Sequence, residues 1–190
     1  MALFGDCGLA AVEFEFQPRP KVTVPQTLDH ILGQLAAMPA RSRITRLDLP
    51  RCEMRVESAK RLAGVLAQCA ALAHLCLKTN QIGPDGAESL VGVLGKCPAL
   101  AHLDLSYNGI GTAGAKSLAG VLGQCRALAH LSLGTNDFGA AGAESLAGVL
   151  GQCAALVHLN LRGNSIGTVG EVRLRASWRG KPLALFCTWL

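Results

Sequence analysis

Four histidines recur at one position of a repeated sequence pattern, and these side chains are the clearest candidates for metal or proton chemistry. His74, His102, His130 and His158 lie 28 residues apart, and Arg46 holds the equivalent position one period earlier. A zinc site needs imidazoles that converge on one point at about 2.0–2.1 Å. Side chains on successive strands instead lie side by side, about 4.8 Å apart. We therefore expect no metal site but a polar column, which resists full protonation because like charges disfavour one another.

A thiol beside this column is the second candidate for chemistry. Cys76 belongs to the neighbouring column, and His102 and Asp104 follow one period later. Asp48 and Asp104 flank the thiol on either side, and nearby carboxylates raise a thiol's pKa and so suppress the nucleophilic thiolate. We also expect a smooth face with no evident pocket and no oxyanion donors. The sequence therefore predicts no catalytic residue and no enzymatic activity.

A glycine-rich segment is the third candidate. Residues 109–114 match G-x-G-x-x-G between a strand and a helix, where a dinucleotide-binding loop would lie. The neighbouring repeats have Gln81, Asp137 and Ser165 in place of the first glycine, so that glycine is not a constant of the turn. The later two glycines, Gly111 and Gly114, do recur, and we expect them to provide tight or left-handed turn conformations. We therefore expect no cofactor.

A strand and a helix in each 28-residue unit must position these side chains. Within Leu100–Cys125, Leu103 and Leu105 alternate with polar residues at the period of a strand. Leu118 and Leu122 then fall on one face of a helix. Because each unit contains one strand and one helix, all the strands run parallel and neighbouring units complete each other's core.

An asparagine follows each strand where the chain must turn. Asn80, Asn108, Asn136 and Asn164 keep the 28-residue spacing, and Cys52 takes this position in the first unit. An amide offers both a donor and an acceptor, so it satisfies backbone groups that a turn leaves unpaired. We expect these side chains to form a ladder along the stack.

Four cysteines share a further repeated position, at the end of each helix. Equivalent residues on packed helices lie about 8–10 Å apart, whereas a disulfide needs Cα atoms within about 7 Å. We therefore expect buried free thiols and a reducing, cytoplasmic location. The residues are Cys69, Cys97, Cys125 and Cys153.

Composition excludes several classes of function. The chain of 190 residues is 50% hydrophobic but only 4% aromatic, which suits many small, similar interfaces. Its net charge of +5 comes from scattered Lys and Arg, with no basic run interleaved with aromatics, so nucleic-acid binding is disfavoured. No apolar run predicts a membrane span, the N-terminus does not resemble a secretory signal, and no small-molecule substrate is evident.

Composition shifts divide the chain into four segments. Residues 1–24 form an N-terminal extension, expected to be either a short hairpin or a disordered leader. Residues 25–43 form an N-terminal capping helix, residues 44–170 the repeats, and residues 171–190 a degenerate last helix with an apolar end. That end either caps the open C-terminal edge, which we favour because terminal repeats are usually atypical, or is an exposed tail.

The residues that alternate with the strand leucines are predicted to face a partner. Ser106 is expected on this face beside them. Five strands present a few hundred Å², well below the roughly 800 Å² per partner of a standard interface, so weak or assisted binding is expected. The predicted partner-binding residues are Arg46, Asp48, Arg51, His74, Cys76, Lys78, His102, Asp104, Tyr107, His130, Ser132, His158, Asn160 and Arg162.

The motif LAHLDLSYNGI, from Leu100, matches L-x-x-L-x-L-x-x-N-x-I and resembles leucine-rich repeats of the ribonuclease-inhibitor-like class. The continuation G-x-x-G-A-x-x-L-A-x-x-L is most similar to the repeats of CARD-containing nucleotide-binding leucine-rich-repeat receptors. This resemblance implies an α/β leucine-rich-repeat solenoid, a horseshoe segment of about five repeats, with a parallel sheet on its concave face and helices on its convex face. It also implies a non-catalytic protein-interaction scaffold with a regulatory role.

The resemblance leaves two alternatives. Ran-type GTPase-activating proteins share the repeat class, and Arg46 and Arg51 are the side chains that such an activity would use. A ribonuclease-inhibitor-like binder is less favoured, because this face has one Tyr and no Trp where tight interfaces use aromatic anchors.

Overall fold

The computed structural model describes residues 28–38 and 43–178, and the backbone of residues 185–186. The expected N-terminal extension and its hairpin lie outside the described residues, as does Pro25, where the capping helix was expected to begin. Most of the apolar C-terminal end also lies outside them.

Helices and strands alternate through the described residues. The helices are α1 (Leu28–Ala37), α2 (Val56–Leu66), α3 (Gly83–Leu94), α4 (Gly111–Leu122), α5 (Gly139–Leu150) and α6 (Gly167–Ser177). The strands are β1 (Arg46–Asp48), β2 (His74–Cys76), β3 (His102–Asp104), β4 (His130–Ser132), β5 (His158–Asn160) and β6 (Leu185–Phe186).

The strands form one parallel sheet in chain order, from β1 to β6. The register is one whole repeat per step, so His74 pairs with His102, and His102 with His130. This arrangement confirms the predicted α/β leucine-rich-repeat solenoid. At the far edge, the backbone of β6 continues the sheet beside β5, with Leu185 opposite Leu159.

The core lies between the sheet and the helices. Leu103 and Leu105 are 2% and 1% exposed, and they belong to the same buried core as Leu118 and Leu122 of α4. Burial of each such leucine contributes about 1.5–3 kcal/mol relative to leaving it exposed. Because the same pattern fills every unit, one continuous core joins the repeats.

The two recurring glycines of the turn have different roles. Gly111 begins α4 with a φ of +65°, a left-handed conformation, as expected. Gly114 does not, and the expectation of a turn glycine is wrong there, because it lies inside α4. A Cβ at Gly114 would lie 2.2 Å from Ile110 Cγ2 and 3.3 Å from the Ala87 side chain. Gly114 therefore allows close packing against α3 and the preceding turn.

The asparagine ladder is present, and Asn136 shows how it works. Its side chain is 0% exposed. The Nδ2 group donates to the carbonyls of Leu105, at 2.9 Å, and Leu133, at 3.0 Å. The Oδ1 atom accepts from the backbone N–H groups of Asn108, at 3.0 Å, and Ile110, at 3.4 Å. One amide therefore satisfies backbone groups of two adjacent repeats.

The cysteine column consists of free thiols. Cys69, Cys97 and Cys125 are buried, and Cys153 is half-buried. Each thiol donates to the carbonyl four residues earlier, which is Val121 for Cys125. Burial, with smaller contributions from neighbouring cysteines, raises the pKa of Cys125 to about 11. The column therefore serves as packing, and the Cys125 thiol stays protonated at neutral pH.

We expect Cys125 to resist alkylation in the folded protein. Its buried thiol is almost entirely protonated near neutral pH, and the thiolate is the reactive form. Mass spectrometry of iodoacetamide modification at about pH 8 measures the rate at this position. The control is the same chain unfolded in guanidinium chloride, in which Cys125 should react many times faster. Equal rates in the two states would contradict the assignment of the column as buried packing.

Candidate functional site

The histidine column, formed by His74, His102, His130 and His158, lies on the sheet face opposite the helices. The ring centroids of His102 and His130 are 4.2 Å apart with planes inclined by 8°, and those of His130 and His158 are 4.4 Å apart and inclined by 16°. His74 and His102 are 5.5 Å apart and tilted by 32°. Stacked rings direct their nitrogen atoms side by side instead of at one point. Within the described residues, no group of three or more His, Cys, Asp or Glu side chains is arranged to hold a metal ion.

The two central histidines are held towards their neutral form. Burial, followed by the positive charges of His74, Arg46 and His158, lowers the pKa of His102. Burial and the two flanking histidines, His102 and His158, lower the pKa of His130. These two rings therefore resist protonation, as the spacing of like charges predicts.

We expect the free energy of unfolding to fall as the pH is lowered through about 6.5. That value is the ordinary histidine pKa, which the unfolded chain keeps, whereas His102 and His130 titrate at lower pH in the folded chain. Between these values the unfolded chain binds more protons, so acidification favours unfolding. Urea titrations between about pH 7.5 and pH 5.5 measure this slope.

The control for this slope is the double variant His102→Gln/His130→Gln. It lacks both titrating groups and should show a weaker loss of stability over the same pH range. A slope equal to that of the unsubstituted protein would show that other groups cause the dependence.

An ion cluster closes the β1 end of the column. Arg46 Nε donates to Asp48 Oδ2 at 2.6 Å. His74 Nε2 lies 3.2 Å from Asp48 Oδ1, which is close enough for attraction when the ring is protonated. That oxygen lacks hydrogen-bond geometry with any partner, so the contact is electrostatic and not directional. The Asp48 carboxylate therefore offsets much of the Arg46 charge at this end.

The neighbouring column forms a chain of polar contacts. Asp104 Oδ1 accepts from the Ser106 backbone N–H at 2.9 Å, and the Ser106 and Ser132 hydroxyls lie 2.8 Å apart. Asn160 Nδ2 donates to Ser132 Oγ at 3.2 Å, while its Oδ1 accepts from the Arg162 N–H at 3.0 Å. Ser106 is only 3% exposed, so the expectation that it faces a partner is wrong. Its hydroxyl is hydrogen-bonded to that of Ser132 and is not available to a partner.

The thiol of Cys76 is not activated. Its half-buried position raises its pKa, and the Asp104 and Asp48 carboxylates raise it further. A backbone hydrogen bond from Lys78 and the charge of that lysine act in the opposite direction without reversing the shift. The predicted direction of the pKa change is confirmed, and the thiolate is disfavoured.

The rim of the sheet face carries exposed side chains on a strained backbone. Tyr107 is 53% exposed with a φ of +59°, and Arg51 is exposed at the equivalent position with a φ of +55°. Lys78 Nζ lies 5.8 Å from the centroid of the Tyr107 ring, within the range of a cation–π contact. Non-glycine residues are uncommon in this conformation, so the backbone holds these side chains at defined places on the rim.

The sheet face contains a groove of about 500 Å³, which corrects the expectation of a smooth face. Stacked imidazoles and the row of shorter side chains beside them form its walls. Among the predicted residues, its lining includes His74, His102, Asp104, His130, Ser132, His158, Asn160 and Arg162. The predicted residues outside this lining are Arg46, Asp48, Arg51, Cys76, Lys78 and Tyr107.

Three leucines that the sequence places only in the core also line the groove, namely Leu103, Leu131 and Leu159. They are at most 2% exposed, so they contribute little area. The alternation of apolar and polar residues along each strand predicts that these leucines are buried. It does not predict the groove between the histidine column and the neighbouring column, at which they also lie.

Comparison with known proteins identifies the repeats. Residues 96–119, 124–147 and 152–170 match a family model described as Leucine Rich repeat. A search of curated proteins finds no significant match. Among solved structures, the leiomodin-1 actin-binding site 2 is similar at 15% identity and a TM-score of 0.65, over 81% of this chain and 88% of that chain. An internalin from Listeria monocytogenes is 17% identical over 66% of this chain and 44% of that chain, but its TM-score of 0.34 supports no inference.

The chain therefore contains leucine-rich repeats and has the α/β fold of a leucine-rich-repeat solenoid. The likeness to leiomodin-1, at 15% identity, concerns the fold alone. Within the described residues, no helix combines the length and the apolar character needed to cross a membrane.

Proposed function

We propose that this protein is a non-catalytic protein-interaction scaffold and that its sheet face is the recognition surface. One observation carries the proposal: neighbouring repeats keep the same core residues but display different ones. The second strand column reads Asp48, Cys76, Asp104, Ser132 and Asn160, whereas the leucine beside it never changes. A stack that only needed to fold would not require this variation.

The chemistry of the groove supports recognition over catalysis. The raised pKa of Cys76 disfavours its nucleophilic thiolate form, and the buried Ser106 hydroxyl is hydrogen-bonded to that of Ser132. Stacked neutral imidazoles and amide groups provide hydrogen-bond donors and acceptors along an extended groove. An extended polypeptide with its own backbone donors and acceptors suits such a surface.

We infer a regulatory role in a context like that of nucleotide-binding leucine-rich-repeat receptors. The G-x-x-G-A-x-x-L-A-x-x-L resemblance supports this subclass. The cysteines of the described residues form no disulfide with one another, which supports a cytoplasmic location, because unbridged cysteines persist in reducing compartments.

Partner capture from cell lysate tests the recognition surface. The variant His102→Ala/Asp104→Ala/Tyr107→Ala/Arg162→Ala removes four side chains from the groove and its rim. We expect this variant to lose the proteins that the unsubstituted chain captures, as quantified by mass spectrometry. A substantial loss is expected because a few residues carry most interface energy.

The matched control changes four exposed residues on the helices, Lys60, Glu88, Lys116 and Glu144, to Ala. Like the groove variant, it leaves the net charge unchanged. It should capture the same proteins as the unsubstituted chain. Unchanged capture by the groove variant, or equal loss in both, would refute the proposed surface.

A Ran-type GTPase-activating role remains the second candidate because Arg51 is exposed on the rim. The other arginine considered for this role, Arg46, is already engaged by Asp48. Measuring GTP hydrolysis by small GTPases with and without the protein separates the two functions. Acceleration that depends on Arg51 would replace the non-catalytic assignment.

A further inference from the structure

The histidine column is a row of four closely spaced imidazoles that line the groove. Four imidazoles lie within 4.2–5.5 Å of their neighbours, and none has a carboxylate of its own except His74, beside Asp48. Each ring is at least partly accessible to solvent. A row of this kind gains positive charge as the pH falls from neutral to mildly acidic values, which no other described side chain of the groove does.

The charges around the column come from the described strands and the turns that follow them. The cations are Arg46 at one end, Arg162 at the other, and Lys78 and Arg51 on the rim. The anions are Asp48, which is paired with Arg46, and Asp104, which accepts a backbone hydrogen bond. With neutral histidines the sheet face therefore carries a small net positive charge, and each protonated ring adds one more.

The remaining titratable group beside the column, the Cys76 thiol, stays neutral in this range. Protonation of imidazoles is thus the main way in which the charge of the groove changes between neutral and mildly acidic pH.

We propose that the histidine column is a proton-gated docking site for an acidic peptide segment of the protein partner. This inference rests on the proposed function, because it assigns the chemistry of what the sheet face recognises. Carboxylates laid along the groove would face the ring N–H groups, with Arg162 beyond the last ring. The neutral column binds the segment weakly, and the protonated column binds it tightly.

Because proton binding and peptide binding are thermodynamically linked, the direction of the pH effect on peptide affinity can be worked out. Without a partner, burial and mutual repulsion keep His102 and His130 neutral. A nearby carboxylate favours the protonated ring, so the bound segment draws protons onto the column. The coupling is reciprocal, and lowering the pH must therefore strengthen binding of the acidic segment by the same factor.

Nucleic acid is also anionic, but the surface lacks what single strands need. Such strands stack their bases on aromatic side chains along a cationic channel. Tyr107 is the one exposed large aromatic among the described residues, and it lies on the rim under Lys78. An acidic peptide needs only the charges and N–H donors that the column supplies.

Fluorescence anisotropy with a labelled ten-residue Asp-rich peptide tests the inference. The peptide stays ionised at about pH 5.5, because the Asp pKa is about 3.9. At constant ionic strength we expect its dissociation constant to be at least about tenfold lower at pH 5.5 than at pH 7.5, which corresponds to about 1.4 kcal/mol. The isosteric Asn-rich peptide should bind weakly at both values.

The variant His102→Gln/His130→Gln should reduce this pH ratio to about twofold or less, since it keeps polar side chains but removes both central charges. His30→Gln, on α1, is the matched control and should leave the ratio unchanged. Circular dichroism at both pH values establishes that each variant is folded.

Several outcomes would overturn the inference: equal affinity at the two pH values, a pH ratio retained in the double Gln variant, or equal binding of the Asn-rich peptide. Tighter binding of a single-stranded oligonucleotide than of the Asp-rich peptide would also overturn it. The lysate experiment is independent. If the groove variant loses partner capture but the peptide shows no pH dependence, the proposed function stands and this inference fails. If the groove variant keeps partner capture and the peptide does show the pH dependence, the proposed function is refuted, and this inference fails with it because it names a segment of that partner.

Discussion

Replacing Asn136 by alanine should destabilise the solenoid by about 3–5 kcal/mol, since several buried backbone groups lose their partner at about 1–3 kcal/mol each. The side chain is fully buried and bonds the carbonyls of Leu105 and Leu133. It also accepts from the N–H groups of Asn108 and Ile110. Water cannot replace these bonds in a buried turn, so the loss exceeds that of a typical single hydrogen bond.

Urea unfolding followed by circular dichroism measures this loss. The matched control is Asn160→Ala, which removes the same side chain from the partly exposed sheet face and should cost about 1 kcal/mol or less. Asn160 bonds the Ser132 hydroxyl and the Arg162 N–H, both of which water can reach. Equal destabilisation by the two substitutions would mean that the ladder does not stabilise the turns as described.

Four glycines on the exposed sides of the helices should stabilise the fold when they are changed to alanine together. Gly64, Gly92, Gly120 and Gly148 are helical and exposed, and a Cβ at each would meet no atom within 4 Å. Alanine in a helix is favoured over glycine by roughly 0.5–1 kcal/mol per residue, so the four changes should add about 2–4 kcal/mol. Thermal and urea unfolding of the quadruple variant measure the gain.

The control for this series is Gly114→Ala. A Cβ there would lie 2.2 Å from Ile110 Cγ2, so this change should destabilise the protein. A quadruple variant that is no more stable than the unsubstituted protein would show that the four glycines have a structural role that their open surroundings do not reveal.

The sequence predicts the fold well because successive repeats carry the same spacing of leucines and asparagine. Two leucines two residues apart and a run at helical spacing suffice to place β3 and α4, and the asparagine after each strand predicts the ladder. The histidine column follows in the same way, since side chains at equivalent positions of parallel strands must become neighbours.

The details that the sequence does not predict depend on contacts between repeats. Ser106 alternates like an exposed residue, yet it is buried because its hydroxyl meets that of Ser132 on the next strand. Gly114 resembles a turn glycine, yet its role is set by its distance from Ile110 and Ala87. The groove, likewise, is a gap between two columns, and no single repeat contains it.

The last repeat departs from the pattern for a related reason. Glu171 stands where earlier repeats have the buried alanines Ala115 and Ala143, and it is only 9% exposed, paired with Arg175. Val169 and Val172 are instead more than 60% exposed on the outer side of α6. Among the described helices none follows α6 to pack against it, so the rule that predicts α4 and α5 does not predict these positions.

Photo-crosslinking tests most directly whether the sheet face is the recognition surface. A benzophenone amino acid would replace Ser132, which lines the groove, or Lys116, which is exposed on α4. Irradiation in lysate should form covalent adducts to partner protein from the groove position and few or none from the helix position. Adducts formed mainly from the helix position, with none from the groove, would contradict the account and place recognition on the helical side.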